Sequence, residues 1–264
     1  MNFLNLKDIE LGKEFKKNGF VVIDVKELNS LNYIQNKIIK STQLKVNRKK
    51  TNNIDFLNNI HKKIKVNHLN NFRLNIMKHI NNDKKFKHHV YDISKVLLNS
   101  LVGNELVMQK RISLSIQLPN DKSSLLPVHS DTWSGLSPFE AVIWIPLVDC
   151  FNTKSMYILP PNENKKFMKK FSKFVNVDSE KIFSMIKKKV TWLNLKFGQI
   201  LIFNQQLPHG NVVNQENETR WSMNCRFKSI FSPYADKRIG EFYEPITMRP
   251  VSELGFKYKL PKLK

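Results

Sequence analysis

Three side chains of this 264-residue sequence have the types and the spacing of a metal site. His129 and Asp131 lie two residues apart directly after a loop, and His209 follows a strand-like apolar stretch much later in the chain. On an extended segment, side chains at i and i+2 share a face, so the first two ligands point toward one place. Two histidines and one carboxylate form the facial triad of non-haem iron(II) sites, which leaves three coordination positions open. The sequence therefore predicts a metal site at His129, Asp131 and His209.

Two segments alternate polar and apolar residues without a break, which is the period of a strand with two different faces. They cover residues 111–118 and 220–227. Their polar positions are Arg111, Ser113, Ser115 and Gln117 in the first segment and Arg220, Ser222, Asn224 and Arg226 in the second. A solvent-facing strand in this lysine-rich chain would carry Lys and Glu, whereas these faces carry short or fork-shaped hydrogen-bonding groups. We therefore expect both polar faces to line a hydrated pocket.

The elements that position these residues change in character along the chain. Residues 1–102 are predicted to be mainly helical, with one early strand over 20–23 that follows a short helix and a glycine turn. Further helices are expected over 28–44 and 90–101. The segment 46–87 is polar, rich in Asn and weakly periodic, which indicates short helices and loops.

Residues 103–264 have the texture of strands, turns and prolines, with a helical insertion predicted near 162–189. Further strands are expected at 140–148, 156–159 and 199–203. Many strands with a polar interior are typical of a jelly-roll type of sandwich or barrel. The predicted fold class is mainly β with flanking helices, in a single domain over 1–264 whose N-terminal helices cover one sheet.

Charge and composition limit the classes of function. The formal net charge of +22 would attract nucleic acid, anionic lipid or a phosphorylated small substrate. The basic residues are mostly lysines dispersed among asparagines, a bias expected of an AT-rich genome, and no nucleic-acid module accompanies them, so a nucleic-acid partner is not expected. The apolar runs have the length of strands, which predicts no membrane span. Two cysteines, Cys150 and Cys225, and a start unlike a secretory signal fit a reducing cytoplasm.

Beyond these patterns, the sequence resembles the phytanoyl-CoA hydroxylase-like branch of the iron(II)- and 2-oxoglutarate-dependent oxygenases. The distance from His209 to Arg220, eleven positions, is the most specific element of the resemblance. The other matching stretches are 15–23, His129-Ser130-Asp131, Trp144–Asp149, Met156–Pro160 and His209-Gly210. The resemblance implies a double-stranded β-helix core, iron(II) at the predicted triad, 2-oxoglutarate as cosubstrate and O2 as oxidant.

The resemblance also implies roles for individual residues. Arg220 would bind the distal carboxylate of 2-oxoglutarate together with Ser222, and Asn211 and Gln117 match further polar contacts to the cosubstrate. Asn211 departs from the small hydroxyl residue that the family often has there. The expected contacts to the primary substrate are Arg111, Trp133 and Arg226. The link 149–155 lacks the family's glycine-rich turn and the insertion 161–191 is unusual, so we expect substrate recognition partly in those two segments.

The implied function is hydroxylation of an unactivated C–H bond of a small molecule. The positive net charge of the chain is compatible with an anionic substrate. Asp131 fills the position that a small residue takes in the related halogenases, which favours hydroxylation. A faint similarity to oxygenases of bacterial surface-carbohydrate gene clusters suggests a carbohydrate or nucleotide-sugar precursor as substrate. A cupin-type metalloenzyme that does not use 2-oxoglutarate is one alternative, and succinate formation separates the two. A basic, non-enzymatic anion- or nucleic-acid-binding protein is another, which predicts salt-sensitive binding independent of iron.

Overall fold

The computed structural model describes residues 3–47, 51–174 and 177–260. Within these ranges the chain forms eight α-helices, of which five lie before residue 103. The helices are α1 (Leu6–Asn18), α2 (Leu28–Gln43), α3 (Asn53–Asn58), α4 (Val66–Asn81), α5 (Lys84–Leu101), α6 (Pro161–Met168), α7 (Ser179–Ile186) and α8 (Pro250–Lys257). None of the described helices has both the length and the apolar character needed to cross a lipid bilayer.

Ten strands form two antiparallel sheets in the described part of the chain. The large sheet has the order β1-β7-β4-β9-β2-β10, with β3 also paired to β9, and the small sheet has the order β6-β5-β8. The strands are β1 (Phe20–Asp24), β2 (Leu106–Gln109), β3 (Ser113–Gln117), β4 (Glu140–Pro146), β5 (Tyr157–Ile158), β6 (Thr191–Trp192), β7 (Gln199–Asn204), β8 (His209–Gly210), β9 (Arg220–Ser229) and β10 (Tyr243–Thr247). The predicted mainly β architecture with flanking helices is confirmed.

Helix α4 corrects the prediction for 46–87, which contains a sixteen-residue helix rather than only short helices and loops. Its buried side chains are Leu69, Phe72, Ile76 and Ile80, at spacings of three and four residues. This stripe is narrow, and asparagines occupy much of the remaining surface, so the period is weak in the sequence although tertiary packing stabilises the helix. Helix α4 packs against β3, while α3 contacts β9 and α5 contacts β7.

Strand β9 is the central element of the large sheet, because it pairs with β2, β3 and β4. The predicted alternation is present. Its apolar side chains are fully buried in the core shared with the helices, and they are Trp221, Met223, Cys225 and Phe227. Its polar side chains therefore point to the opposite side, toward the small sheet.

The strand predicted over 111–118 begins only at Ser113, and Arg111 lies outside it with an exposed side chain. Met108 pairs with Phe227 and Ser113 with Asn224, so four residues of this segment lie opposite two residues of β9. Such a bulge interrupts the alternation of side chains. The expectation that Arg111 shares the inward face of β3 is therefore wrong.

Trp221 links the sheet to two helices. Its indole N–H donates to the Leu57 carbonyl at the end of α3 over 3.0 Å, and its ring meets Phe72 of α4 edge to face with centroids 6.1 Å apart. Substituting Trp221→Phe removes the donor and leaves a buried carbonyl without its partner, which should cost about 1 to 3 kcal/mol of unfolding free energy.

Urea denaturation followed by far-UV circular dichroism measures this loss. Trp192→Phe is the matched control, because Trp192 is only half-buried and no hydrogen bond is formed by its indole among the described contacts. Equal losses for the two variants would show that Trp221 does not link the layers in this way.

Candidate functional site

A cavity of about 510 Å³ lies between the two sheets. This volume is within the range of small-molecule sites, roughly 300 to 1,000 Å³. Four polar residues of β9 line it, Arg220, Ser222, Asn224 and Arg226, together with Ser113 and Ser115 of β3. The polar faces of these strands therefore line a pocket. Opposite them, His209 on β8, with His129 and Asp131, completes the wall.

Backbone pairing brings the three predicted metal ligands together. The N–H of His129 donates to the carbonyl of His209 over 3.0 Å, and the reverse bond measures 2.8 Å. The N–H of Asp131 donates to Gln205 over 3.1 Å, so the same two segments remain joined two residues further on. The ligand atoms of His129, Asp131 and His209 all lie within 4.8 Å of one another. No other group of three such side chains occurs among the residues that the structure describes.

The hydrogen bonds of the two imidazoles determine which nitrogen is available. Nδ1 of His129 lies 2.7 Å from the Pro127 carbonyl, and Nδ1 of His209 lies 2.8 Å from the Leu207 carbonyl. A carbonyl oxygen only accepts, so Nδ1 carries the proton in both rings. Nε2 then keeps its lone pair, which is the arrangement that metal-binding histidines use. The donor set fits a divalent transition metal.

Asp131 offers one oxygen toward the histidines and holds an arginine with the other. Its Oδ1 lies 3.7 Å from Nε2 of His129, while its Oδ2 accepts from Nη2 of Arg226 over 2.7 Å. Asp131 is buried and the side chain of Arg226 nearly so. A buried carboxylate requires such a partner, and a short charge-assisted hydrogen bond fixes its orientation.

Arg226 is held in turn by a buried polar chain that sequence reasoning missed. Its Nε donates to Oε1 of Gln205 over 3.3 Å, and Nε2 of Gln205 donates to Glu140 over 2.9 Å. The guanidinium also contacts Oε1 of Gln109. Gln205 and Glu140 come from separate strands or turns, and no spacing in the sequence indicates that they meet.

Arg220 has no acidic partner. It is 3% exposed, and among the described residues its acceptors are the carbonyl of Ser155 at 3.3 Å and the hydroxyl of Ser115 at 2.9 Å. Its Nε is buried without any hydrogen bond, and no described ion pair includes this residue. Burial lowers the pKa of Arg220 to about 10, so the guanidinium is still charged at neutral pH. A buried, uncompensated cation is costly, and an anion supplied by a ligand would relieve that cost.

The three other predicted cosubstrate residues differ in whether they line the cavity. Ser222 and Asn211 line the cavity. Gln117 does not line it, because its side chain is buried and donates to the Val212 carbonyl over 2.7 Å. Asn211 Nδ2 lies 3.4 Å from Oε1 of Gln117, so the glutamine contacts a wall residue from behind.

Two predicted substrate contacts lie away from the cavity. Arg111 is exposed on the bulge before β3, and Trp133 packs against Phe167 and Phe171 with ring centroids 6.2 and 5.0 Å away. The position of Trp133 is therefore explained by its packing against aromatic residues of the insertion. The described residues of 161–191 supply none of the cavity lining, and the expected part of this insertion in substrate recognition stays a prediction. In the link 149–155, Ser155 reaches Arg220 through its carbonyl.

Helix α4 and a loop supply the wall that sequence reasoning missed. The α4 residues are Val66, Leu69, Asn70 and Arg73, and the loop residues are Ser123, Ser124, Leu125 and Leu126. The α4 set follows the spacing i, i+3, i+4, i+7 of a single helix face. That spacing was the available signal, and it was missed because 46–87 was not recognised as containing a long helix.

Gly210 allows the close approach of chains beside the triad. A Cβ at this position would lie 2.7 Å from the Tyr157 hydroxyl and 2.8 Å from the Leu126 carbonyl. Both distances are shorter than real contacts, and one involves backbone, so a side chain would displace the loop that precedes His129.

The environment of His209 predicts a pH dependence of stability in the metal-free protein. Burial, with a smaller contribution from His129, lowers the pKa of His209 to about 4 from its ordinary 6.5. Between these values the unfolded chain binds a proton that the folded chain does not, so this residue makes stability fall as the pH falls. The loss between pH 7 and pH 5 should be roughly 2 kcal/mol.

Urea denaturation of the metal-free wild type and of His209→Gln at pH 7, 6 and 5 measures the effect. We expect the wild type to lose more stability than the variant as the pH decreases, because the substitution removes this proton uptake alone. Parallel curves would show that His209 does not titrate in the buried state described.

Comparisons with known proteins agree at the level of fold. The sequence matches no protein-family model and no curated protein. Among solved structures, apo ThoJ, a non-heme monooxygenase, is 15% identical, with 90% of this chain and 84% of that chain covered and a TM-score of 0.55. SnoK, a non-heme alpha ketoglutarate dependent carbocyclase from nogalamycin biosynthesis, is 12% identical, with 93% and 97% covered and a TM-score of 0.55.

A third structure contains ligands. The epimerase SnoN, in complex with Fe3+, alpha ketoglutarate and nogalamycin RO, is 12% identical, with 91% of this chain and 93% of that chain covered and a TM-score of 0.52. At these identities the likeness concerns the fold alone. The chain thus has the fold of the non-heme, alpha ketoglutarate dependent enzymes, with a His-Asp-His cluster in a cavity between its sheets.

Proposed function

We propose that the protein is an iron(II)- and 2-oxoglutarate-dependent oxygenase that oxidises an unactivated C–H bond of a small molecule. One observation carries the proposal. A fully buried arginine without an acidic partner, Arg220, lines the same cavity as a His-Asp-His cluster. The cluster suits a metal, and the arginine suits a carboxylate that enters with a ligand.

His129, Asp131 and His209 would hold the metal. When bound, iron(II) together with 2-oxoglutarate and O2 supplies the oxidising power that no protein side chain has. The protein's part is to bind, orient and exclude water. Because Arg226 donates to Oδ2 of Asp131, Oδ1 is the oxygen that would bind the metal.

Arg220 would bind the distal carboxylate of 2-oxoglutarate, with Ser222 beside it on the same face of β9. Arg226 is already engaged by Asp131 and is therefore unsuited to this role. Asn211, whose Oδ1 accepts from the N–H of Leu126, is the third wall residue that we assign to the cosubstrate. Gln117 would act by holding Asn211.

The type of oxidation belongs to the proposal as well. SnoK and SnoN are a carbocyclase and an epimerase, so the fold supports several outcomes. We favour hydroxylation because Asp131 occupies its ligand position. We also retain the phytanoyl-CoA hydroxylase-like branch and a double-stranded β-helix core, on the spacing from His209 to Arg220 and the two facing sheets.

The burial of Arg220 without an acidic partner also argues against the two alternative functions, a metalloenzyme that does not use 2-oxoglutarate and a non-enzymatic binding protein. A metalloenzyme that does not use 2-oxoglutarate does not by itself account for an unpaired, buried guanidinium in the same cavity as the metal ligands. A basic anion- or nucleic-acid-binding protein would present its charge on the surface rather than in an enclosed wall.

The metal assignment predicts the result of an anaerobic titration with iron(II) and 2-oxoglutarate. The wild type should develop the weak visible charge-transfer band of the chelate, and His209→Ala should not, because one of three ligands is missing. His88→Ala is the matched control, since His88 is exposed on α5. Unchanged metal binding and turnover in His209→Ala would end the proposal.

In the metal-free protein, replacing each of the two arginines of β9 should change thermal stability in opposite directions. Arg220→Met removes a buried cation that lacks a partner, so thermal stability should hold or rise, whereas Arg226→Met leaves Asp131 buried and unpaired and should lower it. The 2-oxoglutarate requirement should rise well over tenfold in Arg220→Met, because a fork donor to a buried carboxylate contributes on the order of 2 to 5 kcal/mol.

Arg226→Met should instead weaken iron binding, by about 10- to 100-fold, through loss of the carboxylate's support. Thermal unfolding with and without 2-oxoglutarate, together with metal titration, separates the two roles. If Arg226→Met controls 2-oxoglutarate binding while Arg220→Met does not, the cosubstrate assignment is reversed.

A further inference from the structure

The charged residues that line the cavity are unlike those of the chain as a whole. The chain has 37 lysines and seven arginines among its 44 basic residues. Three of the arginines, Arg73, Arg220 and Arg226, line the cavity, and none of the lysines that the structure describes does. Asp131 is the one acidic residue among the described lining residues. A compositional bias toward lysine cannot produce this selection, so the cavity's positive charge requires a separate reason.

Arg73 is the arginine that the proposed cosubstrate site leaves unexplained. It lies on α4, half-buried, where its Nη2 donates to Oδ1 of Asn70 over 2.7 Å and its Nη1 lies 3.4 Å from the Leu114 carbonyl. Both partners are neutral, and Arg73 takes part in none of the ion pairs of the described chain. The guanidinium is therefore held in place with its charge uncompensated and with donors to spare.

Arg73 and Arg220 approach neighbouring residues of β3. Arg220 contacts the Ser115 hydroxyl on the inward face, whereas Arg73 contacts the Leu114 carbonyl from α4. Arg220 is almost completely buried and Arg73 is partly open to solvent. Two anionic groups could thus bind in one cavity, one at its buried end and one near its entrance.

Part of the entrance is apolar, two helical turns before Arg73 on α4 and in the facing loop. Val66 on α4 and Leu126 in the loop before His129 both line the cavity, and they are 47% and 49% exposed. Leu69 and Leu125 continue the same surface inward. Covering exposed aliphatic groups of this kind gains about 25 cal/mol for each Å² removed from water. A ligand with an apolar portion would make that contact.

We propose that the primary substrate is an anionic small molecule whose carboxylate, phosphate or sulfate binds Arg73 while an apolar part covers Val66 and Leu126. The inference rests on the proposed function, since it assigns the second ligand of the same cavity. Charge balance supports it. Iron(II) and three arginines carry five positive charges, whereas Asp131 and 2-oxoglutarate carry three negative ones, so the loaded cavity still favours an anion. A nucleotide sugar fits this chemistry and a neutral sugar does not.

Calorimetric titration with matched pairs of compounds tests the assignment. The pairs are phenyl phosphate with phenol, 4-phenylbutyrate with 4-phenylbutanol, and uridine diphosphate with uridine. The protein is titrated anaerobically with iron(II) and saturating 2-oxoglutarate, so that the buried arginine is already occupied. We expect at least one anion to bind the wild type tenfold or more tightly than its neutral partner.

The variants locate the anion. Arg73→Gln should weaken binding of the anion at least tenfold and leave the neutral partner within twofold, which also reports that the cavity is intact. Arg73→Lys should bind the anion with an affinity between those of the wild type and Arg73→Gln, because lysine keeps the charge but not the two parallel N–H donors of a guanidinium. Arg111→Gln removes the same charge from an exposed site outside the cavity and should behave as the wild type.

The inference is overturned if no pair shows a preference for the anion, if Arg73→Gln keeps that preference, or if Arg111→Gln abolishes it equally. A second series without metal or 2-oxoglutarate, in an Arg220→Gln background, keeps the readout independent of the proposed function. If the wild type does not bind 2-oxoglutarate, the proposed oxygenase function is refuted. The second series would still show whether Arg73 binds the anion.

Discussion

The register of strand β9 is the constraint on which the rest of the structure depends. Because side chains alternate along a strand, a shift by one residue would place Arg220 and Arg226 in the apolar core and Trp221 in the cavity. Three neighbouring strands fix this register, and Trp221 anchors it to the helices through the Leu57 carbonyl. The burial of aromatic residues on one face thereby determines where two guanidinium groups lie on the other.

Backbone pairing at the small sheet fixes the positions of the two histidines. His129 and His209 exchange a pair of backbone hydrogen bonds, so the positions of their imidazoles follow from main-chain geometry rather than from side-chain packing alone. Gly210 is required beside them because the chain before His129 passes too close for a Cβ. The bond between Asp131 and Arg226 then connects the segment that follows His129 to β9. The site is consequently rigid where a metal would bind, as precise ligand placement requires.

Sequence patterns were most informative where a local rule determines the outcome. The i, i+2 spacing of His129 and Asp131 and the alternation in β9 depend on neighbouring residues only, and both were found. The bulge that removes Arg111 from its strand arises from pairing with β9, and Trp133 is held by aromatic residues of a distant insertion. Arg73 was missed because helix α4 is stabilised by tertiary contacts more than by its own periodicity. Apart from the helical spacing in α4, these interactions between residues distant in sequence left no local signal.

Helix α4 also shields an edge of the large sheet. Strand β3 pairs with β9 alone among the described strands, so its other edge has peptide groups without a strand partner. At Ile112, the residue directly before β3, the carboxamide of Asn81 accepts from the N–H over 2.7 Å and donates to the carbonyl over 3.0 Å, as a neighbouring peptide would. Open strand edges are sites of intermolecular β-pairing. Asn81 takes the place of a peptide where this edge begins, and Arg73 of the same helix contacts the Leu114 carbonyl further along it, so α4 occupies hydrogen-bonding groups that an aggregating strand would need.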